Sequence, residues 1–308
     1  MKLKRKDVLG LAGMERGELE LILETASRMK EILARRVKKV PTLRGRSMIT
    51  LFYENSTRTR TSFELAAKIM SAEAINIAVA QSSAAKGESL KDTLLTLKAV
   101  GADCVVMRHP ASGAPEFAAQ LVDIPIINAG DGFHEHPSQG LLDLLTIHER
   151  KARFEGLNVT IVGDLLHSRV ARSATWGLLK MGANVTLCGP DTLLPREFSS
   201  TGARLETSCD AAVEGADVVM MLRLQAERMD GAFLPGVREY AALYGMNSRR
   251  LSRAKPDAIV MHPGPINRGV EISDEVADSK QSVILDQVQN GVAVRMALLY
   301  LVMGGSEE

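Results

Sequence analysis

The chain has 308 residues, 45% of them hydrophobic, and its 38 basic side chains nearly balance 37 acidic ones. This length suits two domains of ordinary size, each able to bury its own core. A formal net charge of +1 excludes a protein that attracts nucleic acid or anionic lipid through its overall field. Any anion site therefore has to be built locally.

Cysteine usage and hydropathy predict a soluble, cytoplasmic protein. The three cysteines, Cys104, Cys188 and Cys209, lie far apart in no metal-ligand spacing, which favours buried thiols in a reducing compartment. Residues 1–6 are basic, but no long apolar stretch follows them, so no signal peptide is predicted. No window approaches the roughly 20 apolar residues that a membrane span needs. We therefore expect neither a membrane nor a nucleic acid as a partner.

Strand and helix patterns alternate along the first half of the chain. An amphipathic helix is predicted over 15–35, because apolar residues recur there at helical spacing. Short apolar runs rich in β-forming residues then alternate with helical patterns. The predicted strands are 48–53, 74–80, 103–107 and 124–128, and the predicted helices are 61–70, 89–100, about 114–120 and about 137–150. This alternation predicts a parallel sheet wrapped by helices.

A second alternating series follows residues 151–157, where we predict the domain boundary. Its predicted strands are 158–162, 184–188, 203–206, 217–222 and 257–261, and its predicted helix is 168–181. The apolar stretch 283–302 is predicted to be mostly helical, with a break at Gly291 because glycine is a poor helix former. The predicted fold class is α/β, with two doubly wound domains, each a mainly parallel sheet flanked by helices. Ligands of such domains bind beyond the carboxyl ends of the strands.

The densest group of hydroxyl and guanidinium side chains lies at 55–61, Asn-Ser-Thr-Arg-Thr-Arg-Thr, between a predicted strand and a predicted helix. A turn that enters a helix directs backbone N–H groups and the positive end of the helix dipole at one point. Hydroxyl donors and Arg58 strengthen such a point for a compact dianion such as phosphate. A helix cap would explain one hydroxyl group, but not this density of hydroxyls and arginines.

The stretch 52–60, Phe-Tyr-Glu-Asn-Ser-Thr-Arg-Thr-Arg, resembles the carbamoyl phosphate signature of the aspartate and ornithine carbamoyltransferases. The resemblance extends along nearly the whole chain. It implies a carbamoyl phosphate-binding domain at 1–150 and an aspartate-binding domain at 151–287. It also implies that a final helix, 288–308, packs back on the first domain.

The resemblance implies a set of residues for the first substrate. Thr59, Arg108 and His136 would form an oxyanion hole for the carbonyl oxygen. Gln139, in the His-Pro-Ser-Gln stretch, would accept a hydrogen bond from the carbamoyl NH2 group. The residues implied to bind carbamoyl phosphate are Ser56, Thr57, Arg58, Thr59, Arg108, His136, Gln139, Gly264 and Pro265. The last two would act through backbone carbonyls, although many family members have Leu in place of Gly264 and a shorter segment after it.

The second substrate is assigned partly from the residues themselves. Arg169 opens a predicted helix after a strand and suits a carboxylate, while Arg223 and Gln225 lie on one side of a strand end and suit a dicarboxylate. Lys86 taken alone is a solvated loop charge. The resemblance implies that Ser82 and Lys86 reach into the active site of the next subunit of a trimer. The residues implied to bind aspartate are Lys86, Arg169, Arg223 and Gln225.

The implied function is transfer of the carbamoyl group from carbamoyl phosphate to the amino group of L-aspartate, the second step of de novo pyrimidine biosynthesis. No cofactor, metal or protein nucleophile is expected; adjacent residues such as those at 134–136 do not face one ion. Two alternatives stay open. One is another acceptor such as ornithine, whose positive charge Arg169 and Arg223 would repel, and the other is a non-catalytic paralogue that serves as an assembly subunit. Regulatory or dihydroorotase chains are further candidate partners.

Overall fold

The computed structural model describes residues 3–78, 87–224 and 236–304. Its described residues form two compact units. The first unit draws on 1–145 and 289–308, and the second on 146–288.

The first unit is built on a four-stranded parallel sheet in the order β2-β1-β3-β4. The strands are β1 (Ser47–Phe52), β2 (Glu73–Ala78), β3 (Cys104–His109) and β4 (Ile126–Asp131). The helices are α1 (Arg16–Ala34), α2 (Thr57–Ile69), α3 (Leu90–Ala99), α4 (Ala114–Leu121) and α5 (Pro137–Lys151), the last of which begins in this unit. Strands β1, β3 and β4 are buried along most of their length, as expected where helices cover both faces of a sheet.

The second unit is built on a five-stranded parallel sheet in the order β7-β6-β5-β8-β9. The strands are β5 (Asn158–Val162), β6 (Asn184–Cys188), β7 (Arg204–Glu206), β8 (Val218–Met221) and β9 (Ile259–Met261). The helices are α6 (Arg169–Lys180), α7 (Cys209–Val213), α8 (Val237–Tyr244), α9 (Ser248–Leu251) and α10 (Asp274–Ala277), with 3-10 turns at Asp191–Leu193 and Arg196–Thr201. Helix α11 (Ile284–Met303) begins in this unit, and from residue 289 onward it belongs to the first unit. The predicted fold class is confirmed. The short helices α7 to α10 were not predicted, because they are too short to show a helical period.

Helix α2 begins four residues before its predicted start. Residues from Thr57 onward are already helical, so most of the 55–61 stretch is the first turn of the helix and not a loop before it. Hydroxyl residues are common in caps and turns, and they conceal the start of a helix when they occupy its first turn.

The predicted break at Gly291 is wrong, since α11 continues through it. A Cβ atom at this position would lie 2.5 Å from Nη1 of Arg295 and 3.3 Å from Cδ2 of Leu142. Glycine is therefore needed here for close packing around the Arg295 side chain, and the helix tolerates it because the packing outweighs a propensity cost of about 1 kcal/mol.

The three cysteines are buried free thiols, as predicted. Among the described helices, none combines the length and the apolar character that crossing a membrane requires.

Candidate active site

In the first unit, the carboxyl ends of three strands lie side by side. β1, β3 and β4 are parallel neighbours, so the segments that follow them leave from one edge of the sheet. Helix α2 follows β1, Arg108 lies at the end of β3, and α5 follows the turn after β4. The chain order reverses between β1 and β3, which is where open α/β sheets bind ligands. The topology thus gathers the residues predicted to bind carbamoyl phosphate in this unit.

The start of α2 has the features of an anion site. Ser56 takes the N-cap position with φ −156° and ψ 97°, but its side chain makes no capping hydrogen bond. Thr57 and Arg58 are exposed in the first turn, and Thr59 is buried. The first N–H groups of a helix have no partner within the helix, and its positive dipole end favours a negative ligand. Because Ser56 does not cap the helix, its hydroxyl group adds to this set of donors.

The two arginines of the 55–61 stretch have different surroundings. Nε of Arg60 lies 3.8 Å from Oε1 of Glu64, one helical turn further on, and both side chains are partly exposed. Arg60 is thus part of a surface ion pair on the helix. Arg58 belongs to the first turn itself, where the N–H groups point.

Arg108 is oriented by a carboxylate that sequence reasoning missed. Its Nε donates to Oε2 of Glu54 at 3.0 Å, and both side chains are largely buried. Phe52 is the register partner of Arg108 on β1, and Glu54 lies two residues beyond it. Such a charge-assisted bond fixes the plane of the guanidinium group at the edge of the sheet. The position of Glu54 just after β1, within the 52–60 stretch, is the sequence signal that was available.

The loop between β4 and α5 is organised by the buried carboxylate of Asp131. Its Oδ1 accepts from Nδ2 of Asn128 at 2.7 Å and from the N–H of Glu135 at 3.1 Å. Its Oδ2 accepts from the N–H of Gly113 at 2.7 Å and lies 3.0 Å from Nδ1 of His134. Burial raises the pKa of Asp131, but the hydrogen bonds from His134, Gly113 and Asn128 outweigh it, so the pKa is lowered. The bond to Asp131 raises the pKa of His134 in turn.

Glu135 ties the same loop to the N-terminal segment. Its Oε2 accepts from the N–H of Leu11 at 2.8 Å, and its Oε1 accepts from the N–H of Ala12 at 3.0 Å. A Cβ atom on Gly10 would meet the carboxylate of Glu135, so glycine leaves room for this approach. The residue immediately before His136 is therefore held rigidly. Within the part of the chain that the structure describes, no group of three or more His, Cys, Asp or Glu side chains is placed to hold a metal ion.

His136 and Gln139 lie at the start of α5, and both are almost fully buried. The carbonyl oxygen of His136 accepts from the N–H of Gln139 at 2.9 Å. Nδ1 of the His136 ring lies 3.5 Å from Oγ of Ser138. Nε2 of Gln139 donates to Oδ1 of Asp143, one turn further along the helix, at 3.0 Å. Sequence reasoning missed Asp143, although a pair four residues apart on a helix is the ordinary spacing for such a bond.

The second unit repeats the arrangement of adjacent strand ends. β5, β8 and β9 are parallel neighbours, and the order reverses between β5 and β8. Arg169 opens α6 after β5, Arg223 lies two residues beyond β8, and residues 263–265 follow β9. The topology thus gathers the described residues that were predicted for this unit at one sheet edge.

Arg169 is buried at the first position of α6. Oγ of Ser168 caps the helix by accepting from the N–H of Ala171 at 3.1 Å. In the turn before it, Oδ1 of Asp164 accepts from the N–H of His167 at 3.0 Å, and Oδ2 lies 2.9 Å from Nδ1 of the same residue. The turn that presents Arg169 is therefore fixed by its own side chains.

The segment after β8 is tied to the segment after β9 by Glu271, which is fully buried. Its Oε1 accepts from the N–H of Leu224 at 2.8 Å and from Nδ2 of Asn267 at 2.7 Å, and its Oε2 accepts from the N–H of Asn267 at 2.8 Å. Burial raises the pKa of Glu271, and these hydrogen bonds offset the rise only in part. Arg223 precedes Leu224, so Glu271 holds the backbone next to it. Sequence reasoning missed this residue too.

The turn after β9 is shaped around His262. Nδ1 of His262 accepts from the N–H of Gly264 at 2.8 Å, and its own N–H donates to Oε1 of Gln287 at 2.9 Å. Gly264 has a positive φ of 64°, and the bond between Gly264 and Pro265 is cis. This is a conformation that glycine accepts at little cost.

Three predicted site residues, Ser82, Lys86 and Gln225, lie outside the described residues.

Two family models match the chain over nearly its whole length. The carbamoyl-P binding domain of aspartate/ornithine carbamoyltransferase matches residues 6–149, and the Asp/Orn binding domain matches residues 155–302. The chain belongs to the aspartate/ornithine carbamoyltransferase family.

Relatives within this family indicate one branch of it. The aspartate carbamoyltransferase catalytic subunit of Heliobacterium modesticaldum is 61% identical over 306 residues, which cover 99% of this chain and 98% of the relative. That of Pelotomaculum thermopropionicum is 60% identical and covers 99% of each chain. Among solved structures, aspartate transcarbamoylase of Trypanosoma cruzi in complex with carbamoyl aspartate and phosphate has a TM-score of 0.88 at 32% identity, covering 98% of this chain and 97% of that one. The ornithine carbamoyltransferase of Pyrococcus furiosus has a TM-score of 0.88 at 29% identity and covers 100% of both chains.

Proposed function

We infer that this chain transfers the carbamoyl group of carbamoyl phosphate to the α-amino group of L-aspartate, giving N-carbamoyl-L-aspartate and phosphate. One structural observation carries the inference. At one edge of the first sheet, the uncapped start of α2 lies beside Arg108, which Glu54 orients, and beside the start of α5. These are donors for a phosphate group and for a carbonyl oxygen. The relatives at 60% and 61% identity, named as aspartate carbamoyltransferase catalytic subunits, support the same substrates.

The donors of the first unit act on the carbamoyl phosphate. Ser56, Thr57, Arg58 and Thr59 hold the phosphate group at the start of α2. The side chains of Thr59, Arg108 and His136 face the carbonyl oxygen, where negative charge grows as the amine attacks. Donors fixed in advance for such a charge are commonly the largest electrostatic contribution to acyl transfer. The preorganisation of Arg108 by Glu54 supports this role, because a guanidinium already held in place needs no reorientation during the reaction.

The second unit supplies the acceptor side of the reaction. Arg169, Arg223 and Gln225 bind the two carboxylates of aspartate, and the backbone carbonyls of Gly264 and Pro265 hold the carbamoyl NH2 group. The aspartate amine forms the new C–N bond, the bond from the carbonyl carbon to the phosphate oxygen breaks, and the departing phosphate accepts the amine proton. The remaining acceleration comes from holding the two substrates together. A cationic acceptor such as ornithine would be repelled by the two arginines.

The acceptor is tested by steady-state assays with carbamoyl phosphate and either aspartate or ornithine. We expect turnover with aspartate only. Turnover with ornithine at a comparable kcat/KM would contradict the proposed acceptor, and no turnover with either would favour a non-catalytic paralogue.

The phosphate site is tested by Arg58→Ala, with Arg60→Ala as the matched control. Loss of a charge-assisted donor to a dianion should cost about twice as much as loss of a neutral hydrogen bond, so kcat/KM should fall by the equivalent of about 3 kcal/mol. Arg60 is paired with Glu64 on the same helix, so its substitution should leave most of the activity. A folded Arg58→Ala protein with near-normal kcat/KM would reject the phosphate assignment.

We further propose a cytoplasmic homotrimer whose active sites are shared, with Ser82 and Lys86 supplied by the neighbouring subunit. The buried free thiols are compatible with the reducing cytoplasm. The 1–150 and 151–287 ranges are proposed as the two substrate-binding domains. Regulatory or dihydroorotase chains are proposed as further partners of the trimer.

The shared site is tested by mixing an Arg58→Ala chain with a Lys86→Ala chain, each nearly inactive alone. If each site takes these two residues from different chains of a cyclic trimer, random mixing restores about a quarter of the sites. As a control, mixing Arg58→Ala with His136→Ala should restore none, since both residues belong to the same unit of one chain. Hybrid trimers are verified by native mass spectrometry. Activity no higher than that of the parents in the first mixture would reject the shared site.

A further inference from the structure

Buried polar side chains make two contacts at the start of α5, one of which involves the predicted ligand residue Gln139. Nε2 of Gln139 donates to Oδ1 of Asp143 at 3.0 Å, and both residues are buried on α5. The guanidinium of Arg295, on α11, is also buried, with Nη2 3.5 Å from Oγ of Ser138 and its carbon 5.2 Å from the ring centre of Phe63. All of these contacts are made between side chains of the protein itself.

Arg295 is a buried cation whose pKa responds to the charge of Asp143. Burial lowers the pKa of Arg295 to about 10, and the negative charge of Asp143 acts in the opposite direction. The guanidinium therefore stays protonated at neutral pH. The geometric observation at Asp143 is the hydrogen bond that its Oδ1 accepts from Nε2 of Gln139.

The hydrogen bond to Asp143 determines which end of the Gln139 amide faces the carboxyl group. A carboxylate only accepts hydrogen bonds, whereas a side-chain amide has one donating end and one accepting end of almost the same shape. A carboxylate at this position is satisfied only by the NH2 end of the Gln139 amide. The accepting end, Oε1, is then the end that is directed away from Asp143.

We propose that Asp143 is a positioning residue for the carbamoyl donor: it holds the NH2 end of the Gln139 amide, so that Oε1 of Gln139 is presented to the NH2 group of carbamoyl phosphate. The proposal rests on the role given to Gln139 above. Without Asp143, the amide turns over and places a donor against a donor. Asp143 thus makes the site select a substrate that carries an NH2 group on its carbonyl carbon.

The selectivity is measured by comparing two ligands, carbamoyl phosphate and acetyl phosphate, in which a methyl group replaces the NH2 group. Dissociation constants for both are determined by calorimetry on the full-length chain. Asp143→Asn preserves the shape of the side chain but donates as well as accepts, so both orientations of the Gln139 amide are satisfied. We expect its affinity for carbamoyl phosphate to fall about tenfold, the value of one lost hydrogen bond, with little change for acetyl phosphate.

Two further variants separate positioning from a general structural effect. In a Gln139→Ala background, Asp143→Asn should cause no additional loss of affinity for carbamoyl phosphate, because the amide through which it acts is absent. A double variant, Gln139→Glu with Asp143→Asn, exchanges the two roles: the amide at position 143 now donates, and the carboxylate at position 139 accepts. It leaves a carboxylate oxygen facing the substrate, so the preference for carbamoyl phosphate over acetyl phosphate should return.

The outcomes are decisive in both directions. Selective loss in Asp143→Asn with recovery in the exchanged pair would support the proposal. Equal loss for both ligands, or no loss for either, would overturn it. Wild-type turnover with aspartate is measured in the same preparation, so a failure of the proposed function would be seen as absent wild-type activity and not as a changed ligand preference.

Discussion

The loop after β4 in the first unit and the loop after β9 in the second are both held by buried carboxylates, but with different partners. Asp131 receives hydrogen bonds from Asn128, from two backbone N–H groups and from His134, which titrates. Glu271 receives them from two backbone N–H groups and the amide of Asn267, all of them neutral. The pKa of Asp131 is lowered despite its burial, whereas burial raises the pKa of Glu271.

This difference indicates that the kind of hydrogen-bond donor, and not burial alone, sets the direction in which the pKa of a buried acid moves. Nε2 of His262 lies 4.0 Å from Oε2 of Glu271, which is beyond hydrogen-bond distance, and Nδ1 of the same ring accepts from the N–H of Gly264. Asp131 stabilises folding above its ordinary pKa of 3.8, and this contribution is lost as pH falls through the lowered value. Ionisation of buried Glu271 opposes folding. The contribution of protonated Glu271 to the stability of the fold is present below its ordinary pKa of 4.5 and is lost as pH rises through the raised pKa.

The loops also differ in what they offer a substrate. In the proposed function, the first loop contributes the side chain of His136, while the second contributes the backbone carbonyls of Gly264 and Pro265. A side chain can be removed by substitution without moving the loop, whereas the carbonyls depend on the position of the loop itself. Substitutions in the first loop should therefore change catalysis, and substitutions in the second should first change stability.

The largest effect is expected from Glu271→Ala. The N–H groups of Leu224 and Asn267 would lose their acceptor in the interior, at about 1–3 kcal/mol each, so the second unit should lose about 2–6 kcal/mol of stability. The single tryptophan, Trp176 on α6, lies in this unit, and its fluorescence reports the transition during unfolding in urea. Glu271→Gln keeps one accepting oxygen and should lose less. Equal midpoints for wild type and Glu271→Ala would show that the carboxylate does not hold the loop.

The matching substitution in the first loop acts on catalysis. His136→Ala should lower kcat by about 10²–10³-fold, the usual cost of a lost oxyanion donor, with a smaller effect on the affinity for carbamoyl phosphate. His134→Gln is the control, because His134 contacts Asp131 on the same loop and is not among the residues proposed to bind the substrates. If calorimetry instead found lost binding while kcat stayed intact, His136 would be a ground-state ligand and not an oxyanion donor.

The fold could be predicted from the sequence, because short runs with a regular apolar period mark its strands and helices. β5 and β6 occupy the predicted ranges, and the other described strands differ from the predictions by one to three residues at their ends. The polar residues after these strands could be found for the same reason, since parallel strand ends converge at one sheet edge. Arg108 and Arg169 were identified in this way.

The residues that orient the site were harder to predict, and each for a different reason. Asp143 was within reach, since it lies one helical turn from Gln139. Glu271 was not, because its partner Leu224 lies 47 residues earlier and only the folded sheet brings them together. The break at Gly291 was wrong because helix propensity says nothing about the Arg295 side chain that occupies the space beside the glycine.

The smallest effect is expected from the pH dependence of the first loop. The bond to Asp131 raises the pKa of His134 above 6.5, so the stability that this pair provides is present below 6.5 and is lost as pH rises through the raised value. His134→Gln should therefore be less stable than wild type at about pH 6, and the two should converge by about pH 9. The His134 side chain is about half exposed, so the difference should not exceed about 1 kcal/mol. Urea unfolding followed by circular dichroism at both pH values provides the measurement. A stability difference of the same size at both would show that protonated His134 does not stabilise the loop, and the contrast between Asp131 and Glu271 could then not be assigned to His134.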